Sequence, residues 1–160
     1  MTSQQGAKSE TRNSKIAPSF EFRISIFVFG LLVTRHLSLV TVLYAMHELS
    51  IASAILDAVR QEAEKRPGAH VTKVGVRIGA LSGVEPEALS FGFSVLVQGT
   101  DLEPLALVIE PVPRRQRCPA CDLTFEVAED NLACPGCGRI ETQLAGGDEL
   151  DMAYLEIEEQ

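Results

Sequence analysis

The sequence predicts an α+β domain: a small mixed sheet with two helices, into which a zinc ribbon is inserted before the final strand. Three observations predict it. Helix-spaced and then strand-spaced apolar residues alternate twice between Leu49 and Val112. All four cysteines fall in one pattern, Cys118-x2-Cys121-x12-Cys134-x2-Cys137. A last strand pattern over 150–158 follows Gly146-Gly147. That strand has too little core within a metal unit alone, so it is expected to return to the sheet of the first two strands.

Composition limits the function classes. A length of 160 residues suffices for one core plus a small appendage. Trp is absent and aromatic residues make up 6%, so no aromatic stacking surface is evident. The net charge of −8 conceals an asymmetry. Residues 1–45 carry five Lys/Arg and two Asp/Glu, a net of +3, whereas residues 46–160 carry nine and twenty, a net of −11. Such an acidic body repels phosphate backbones, which argues against nucleic acid as a partner. Metal ions and basic protein surfaces suit it better.

Residues 1–19 are polar and read as disordered. Residues 20–45 are apolar but broken: Ile24 to Val33 is one run, Arg35-His36 interrupts, and Leu37 to Ala45 is the second. Neither reaches the ~18–20 residues of a spanning helix. A basic start, an apolar run and the small Ala45 outline a signal peptide; Arg35-His36 and Leu43 count against it.

Leu49, Ala52, Ile55, Leu56, Val59 and Ala63 recur at three- and four-residue spacing, a helix with Asp57, Arg60, Glu62 and Glu64 on the other face. Pro67-Gly68 stops it. Val74, Val76 and Ile78 alternate with Lys73, Gly75 and Arg77 as a half-buried strand, and the chain turns between Gly79 and Gly83. Pro86 suits the first position of a second helix, where its missing N–H costs nothing. Leu89, Phe93, Leu96 and Val97 form that helix's apolar stripe, and Gly99-Thr100 ends it. Residues 105–112 are apolar on both faces and read as a central strand. Leu123, Phe125 and Val127 alternate as a short strand within the metal unit. In the last strand, Met152, Tyr154 and Glu156 are expected to face opposite to Ala153, Leu155 and Ile157.

Two C-x2-C turns aim four thiolates at one point, which suits tetrahedral Zn(II) and leaves no open coordination position; the metal is read as structural. Iron in the same cage and a pair of disulfides are the alternatives. Arg114, Arg115, Arg117 and Arg139 flank the cysteines. They either offset the charge of the four thiolates or form a solvated basic patch.

No Gly-rich phosphate loop is present, and no nucleophile with a matching base stands out. The histidines are His36, His47 and His70. His70 reads as an exposed turn residue. His47 is set apart by its neighbours in Met46-His47-Glu48. If the chain began at Met46, the α-amine, the His47 amide nitrogen and the His47 imidazole would close a five- and a six-membered chelate ring. Planar nitrogen donors favour Ni(II) or Cu(II), and Glu48 would add a backbone nitrogen or a carboxylate. With a peptide bond ahead of Met46 this chelate fails, and His47 is then a residue at the entry to a helix.

Met46-His47-Glu48-Leu49-Ser50, then Arg77-Ile78-Gly79-Ala80-Leu81-Ser82-Gly83-Val84, Pro86-Glu87-Ala88-Leu89-Ser90-Phe91, two CPxC knuckles and Glu149-Leu150-Asp151-Met152 together resemble the hydrogenase nickel-incorporation family HypA/HybF. The resemblance covers residues 46–160. It implies a cytoplasmic nickel metallochaperone for [NiFe]-hydrogenase maturation, not an enzyme, with Ni2+ as transient cargo and Zn2+ as structural metal. Nickel would fall to Met46, His47 and Glu48, and zinc to Cys118, Cys121, Cys134 and Cys137. The implied partners are a HypB-type GTPase, which would supply the missing nucleotide hydrolysis, and the hydrogenase large subunit; urease maturation proteins are further candidates. No nucleic acid or membrane is expected, and the chain would be a monomer or weak homodimer. Residues 46–112 and 147–160 would form the nickel-binding domain and 113–146 the zinc ribbon. The family begins at its Met-His-Glu, so residues 1–45 read as an over-called start. Asp122 stands where the second knuckle has Gly138, which predicts a less regular first knuckle. The competing reading is a zinc-ribbon adaptor that binds protein and carries no nickel.

Overall fold

The computed structural model describes residues 12–17, 37–128 and 131–159. In chain order these form β1 (Arg12–Ile16), α1 (Leu37–Glu64), β2 (Ala69–Gly79), α2 (Pro86–Val97), β3 (Ala106–Val112), β4 (Arg115–Arg117), β5 (Thr124–Glu126), β6 (Gln143–Gly146) and β7 (Leu150–Glu159). The larger sheet runs β1-β7-β2-β3, parallel between β2 and β3 and antiparallel elsewhere. The smaller is an antiparallel β5-β4-β6 sheet around the cysteines. The α+β architecture with a mixed sheet is as expected, and β7 does return to pair with β2.

Helical spacing explains the core. Ile51, Ala52, Ile55, Leu56 and Val59 of α1 and Leu89, Phe93 and Val97 of α2 are buried against Val74, Val76 and Ile78 of β2 and Leu155 of β7. Each large side chain fully removed from water contributes roughly 1.5–3 kcal/mol. Gly92 lets the helices approach closely: a Cβ there would lie 3.3 Å from Leu49 Cδ1. Pro86 stands at the α2 N-terminus, as its lack of an N–H predicts.

Several expectations are corrected. Arg12–Ile16, read as disordered, pairs with β7. Helix α1 begins at Leu37, not Leu49, because no Gly or Pro separates the Leu37 to Ala45 run from the helix that follows. The expectations for residues 20–36, His36 included, lie outside the described residues. Glu62 does not face solvent. It is 4% exposed and paired with Lys65 at 2.7 Å and Arg66 at 3.5 Å, lying three residues after Val59 on the packed face. His70 lies in β2 opposite Glu158 and not in a turn, though it is exposed.

Strand β3 is an edge strand and not a central one. Its side chains are only half-buried, and Pro111, lacking an N–H, is tolerated on an edge. The predicted alternation in β7 also fails. The pairing with β2 slips between Gly75↔Tyr154 and Val76↔Met152, leaving Ala153 as an extra residue. That bulge turns Met152 to the same buried side as Leu155 and Ile157.

Candidate metal centres

The four cysteine sulfurs all lie within 4.8 Å of one another. Cys118 and Cys137 stand 3.6 Å apart, and Cys121 and Cys134 3.5 Å. Sulfurs bound at ~2.3 Å to one tetrahedral Zn(II) are ~3.8 Å apart, so the residues fit that ion with little adjustment. The cysteines are not joined as disulfides.

The two knuckles share one backbone design. The amide of Asp122 donates to the Cys118 carbonyl at 2.8 Å, and that of Gly138 to the Cys134 carbonyl at 2.8 Å. Cys118 N–H donates to Leu123 O at 2.9 Å, and Cys134 N–H to Arg139 O at 2.7 Å. Both turns close through a left-handed residue, Asp122 at φ 60° and Gly138 at φ 76°. The irregularity expected at Asp122 is therefore absent: Asp tolerates this conformation better than most residues, and Arg117 Nε holds its carboxylate at 2.7 Å. Arg115 likewise pairs with Glu126 at 3.5 Å. Two of the flanking arginines thus have carboxylate partners.

The knuckle geometry acts on the thiols. Burial pushes Cys118 up, but hydrogen bonds from the Ala120 and Cys121 amides and contact with Cys137 outweigh it and lower the thiol to about 7. At Cys121 the Leu123 amide acts to lower the value, but hydrogen bonding with Cys134, desolvation and the other thiols raise it to about 12. Cys118 and Cys121 are thus pushed in opposite directions by the same close packing of sulfurs.

The ribbon is fixed closely to the larger sheet. Gly79 N–H donates to Glu149 O at 2.8 Å, Ala80 N–H to Val112 O at 2.9 Å and Leu81 N–H to Gly147 O at 2.6 Å. A Cβ on Gly79 would lie 2.3 Å from the Gly147 carbonyl, and one on Gly147, at φ 106°, 2.6 Å from Arg114 Cα. The Arg77–Gly83 segment therefore packs against both connections of the ribbon, a role its strand-then-turn pattern did not reveal.

At the other candidate site, Met46, His47 and Glu48 are consecutive in α1, and the side chains of His47 and Glu48 do not converge. His47 is exposed. Glu48 is 1% exposed, and its Oε1 accepts from the Glu85 amide at 3.3 Å, at the N-terminus of α2. Its Oε2 is buried without a hydrogen-bond partner. Within a helix that continues from Leu37, the backbone amides of all three residues fall inside the helical hydrogen-bond ladder.

Residues 46–157 match the family described as hydrogenase/urease nickel incorporation, metallochaperone, HypA. The chain belongs to this family. The hydrogenase maturation factor HypA of Aquifex aeolicus is 38% identical over 113 residues, which is 71% of this chain and 98% of that protein. That of Roseiflexus sp. is 41% identical over 115 residues, covering 71% and 94%. Two solution structures share the fold: one of a HypA protein (TM-score 0.54, 23% identity, 70% of this chain and 96% of that one) and one of the Ni metallochaperone HypA from Helicobacter pylori (0.50, 21%, 71% and 98%). A place among the HypA nickel-incorporation proteins makes hydrogenase maturation the setting of this chain and maturation proteins its partners. It also agrees with the four-cysteine cluster as a metal site. Among the described residues no helix is long and apolar enough to cross a membrane.

Proposed function

We propose that the protein binds Ni(II) at the segment beginning with Met46 and delivers it to the large subunit of a [NiFe] hydrogenase, catalysing no reaction itself. The observation that carries this is the exposure of His47 on the first family-matched turn of α1, while the four-sulfur site is closed and leaves no position for cargo. The donors are the Met46 amine, the amide nitrogen and imidazole of His47, and the backbone nitrogen of Glu48. The Glu48 carboxylate is occupied inside the fold.

This reading takes Met46 as the first residue of the working chain. The first four N–H groups of a helix lack carbonyl partners, so a helix starting there leaves these amides free to become donors. The family match beginning at residue 46 supports it. Residues 46–112 and 147–160 form the nickel-binding domain. Residues 113–146 form the ribbon, whose Cys118, Cys121, Cys134 and Cys137 hold Zn(II) and fix the chain around it. The partners are a HypB-type GTPase and the large subunit, in the cytoplasm, where thiols stay reduced.

The test is complementation of a host lacking its own family member. Residues 46–160 should restore nickel to the purified large subunit, and the His47→Ala variant should not, at equal zinc content. Equal nickel in the large subunit from both would overturn the proposal.

A further inference from the structure

We propose that the outer edge of β7 is a docking site for an extended basic segment of a partner protein, which adds to the sheet as an antiparallel strand. The mode of binding is displayed by this chain's own Arg12–Ile16. These residues pair with β7 in the register Arg12↔Glu159, Asn13↔Glu158, Ser14↔Ile157, Lys15↔Glu156 and Ile16↔Leu155. They lie ahead of the family-matched region, which begins at residue 46. The edge therefore belongs to the family fold, whereas its occupant does not.

The edge is equipped for a basic strand. Glu156 is 7% exposed, set between Lys73 of β2 at 2.8 Å and Lys15 of β1 at 3.2 Å. With only the β2 lysine in place, this carboxylate has one side open for a second cation. Lys15 Nζ also stands 4.2 Å from the centre of the Tyr154 ring, a cation–π contact. Tyr154 is held flat over β2 because Gly75 has no side chain: a Cβ there would lie 2.2 Å from the ring. On the opposite face Ile16 packs against the core beside its cross-strand partner Leu155. Backbone pairing would supply affinity and alternating side chains the selectivity, as in other strand-addition sites. The preferred segment has a lysine followed by a branched aliphatic residue. Charge favours such a segment over a second copy of this chain: β7 carries Asp151, Glu156, Glu158 and Glu159 and no basic residue, so two β7 edges repel.

The experiment uses residues 46–160, which contain every buried core residue among the described residues and match the Aquifex relative over 98% of its length. A synthetic peptide with the sequence of residues 11–17 is titrated to millimolar concentration while backbone amide signals are followed. Saturable shifts confined to β7 and the adjoining part of β2 are expected. A Lys15→Glu version of the peptide should bind at least tenfold more weakly, and so should the wild-type peptide offered to the full 160-residue chain, whose edge is filled. Glu156→Gln in the protein should weaken binding at least fivefold, with its spectrum showing that the fold is kept. Shifts absent or scattered over the surface, equal binding of the Lys15→Glu peptide, or β7 shifts that depend only on protein concentration would each overturn the proposal. The inference rests on the reading that the working chain starts at Met46, but none of these readouts involves nickel, so its failure is distinguishable from failure of the cargo site.

Discussion

Asp122 and Gly138 hold equivalent positions in the two cysteine knuckles, both left-handed, and each donates its amide to the carbonyl of the first cysteine of its own turn at 2.8 Å. A residue in this conformation costs about 1–2 kcal/mol unless it is Gly or a short polar residue such as Asp that tolerates it, and the Asp122 carboxylate is further held by Arg117. Asp122→Gly should therefore leave zinc affinity nearly unchanged, whereas Asp122→Val should lower it by about tenfold, equivalent to ~1.4 kcal/mol. Competition with a chromophoric chelator measures both. Equal affinity for the Val and Gly variants would show that the turn is not under this constraint.

Removal of the metal should loosen the ribbon and spare the larger sheet. The ribbon strands are three to four residues long, and the buried hydrophobic core cluster includes none of their residues. Hydrogen exchange after chelation should show lost protection at Gln116 and Phe125 and retained protection at Val76 and Leu155. Zinc affinity should also fall with falling pH, because the ligands must be thiolates. The fall should steepen below about pH 7, where Cys118 is protonated in the metal-free protein. A pH-independent affinity would contradict the four-thiolate site.

Glu156 links pH to stability. The Lys73 hydrogen bond holds its carboxyl below the ordinary value; desolvation opposes this, and Lys15 adds to it. A group lowered on folding stabilises the protein above its unfolded pKa, here ~4.5, and that contribution is lost as pH falls through the folded value. The Tm of the full chain should drop across this acid range more than that of Glu156→Gln. Parallel Tm profiles for the two proteins would remove the claim.

Glu48 joins α1 to the start of α2 through Glu85. Glu48→Ala should cost about 1–3 kcal/mol, the range for leaving a buried hydrogen-bonding group, here the Glu85 amide, without its partner. Glu48→Gln keeps an acceptor for the Glu85 amide and should change stability by less than about 1 kcal/mol. Nickel affinity of Glu48→Gln should match wild type if the carboxylate is not a donor. Denaturant midpoints at constant slope, together with nickel titration, check both parts; a tenfold loss of nickel affinity in Glu48→Gln would place the carboxylate on the metal.

What the sequence made legible was whatever rests on local spacing. The 3.6-residue rhythm of Ile51 to Val59, the alternation of Val74, Val76 and Ile78, and the four-cysteine pattern each specify their element without tertiary context. Features decided by long-range pairing were misread or missed. β3 looked central because both its faces are apolar, although Pro111 already marked an edge. The β7 bulge exists only relative to β2, so no pattern within residues 150–158 displays it. Glu48 and Glu62 looked like surface or ligand carboxylates because burial depends on what packs above them. At the candidate sites, the cysteine cluster was readable from spacing alone. The contact of Gly79 with Gly147 joins residues far apart in the chain, and the only signal for it was the pairing of conformationally free residues at two turns.

Nickel binding to protein that begins at Met46 tests the central claim most directly. Equilibrium dialysis of residues 46–160 should give about one Ni(II) per chain, the stoichiometry of a single planar nitrogen chelate. His47→Ala should bind at least tenfold more weakly at unchanged zinc content, and the full 160-residue chain, lacking the Met46 amine, should resemble the variant. Equal nickel binding by wild type and His47→Ala would contradict the account.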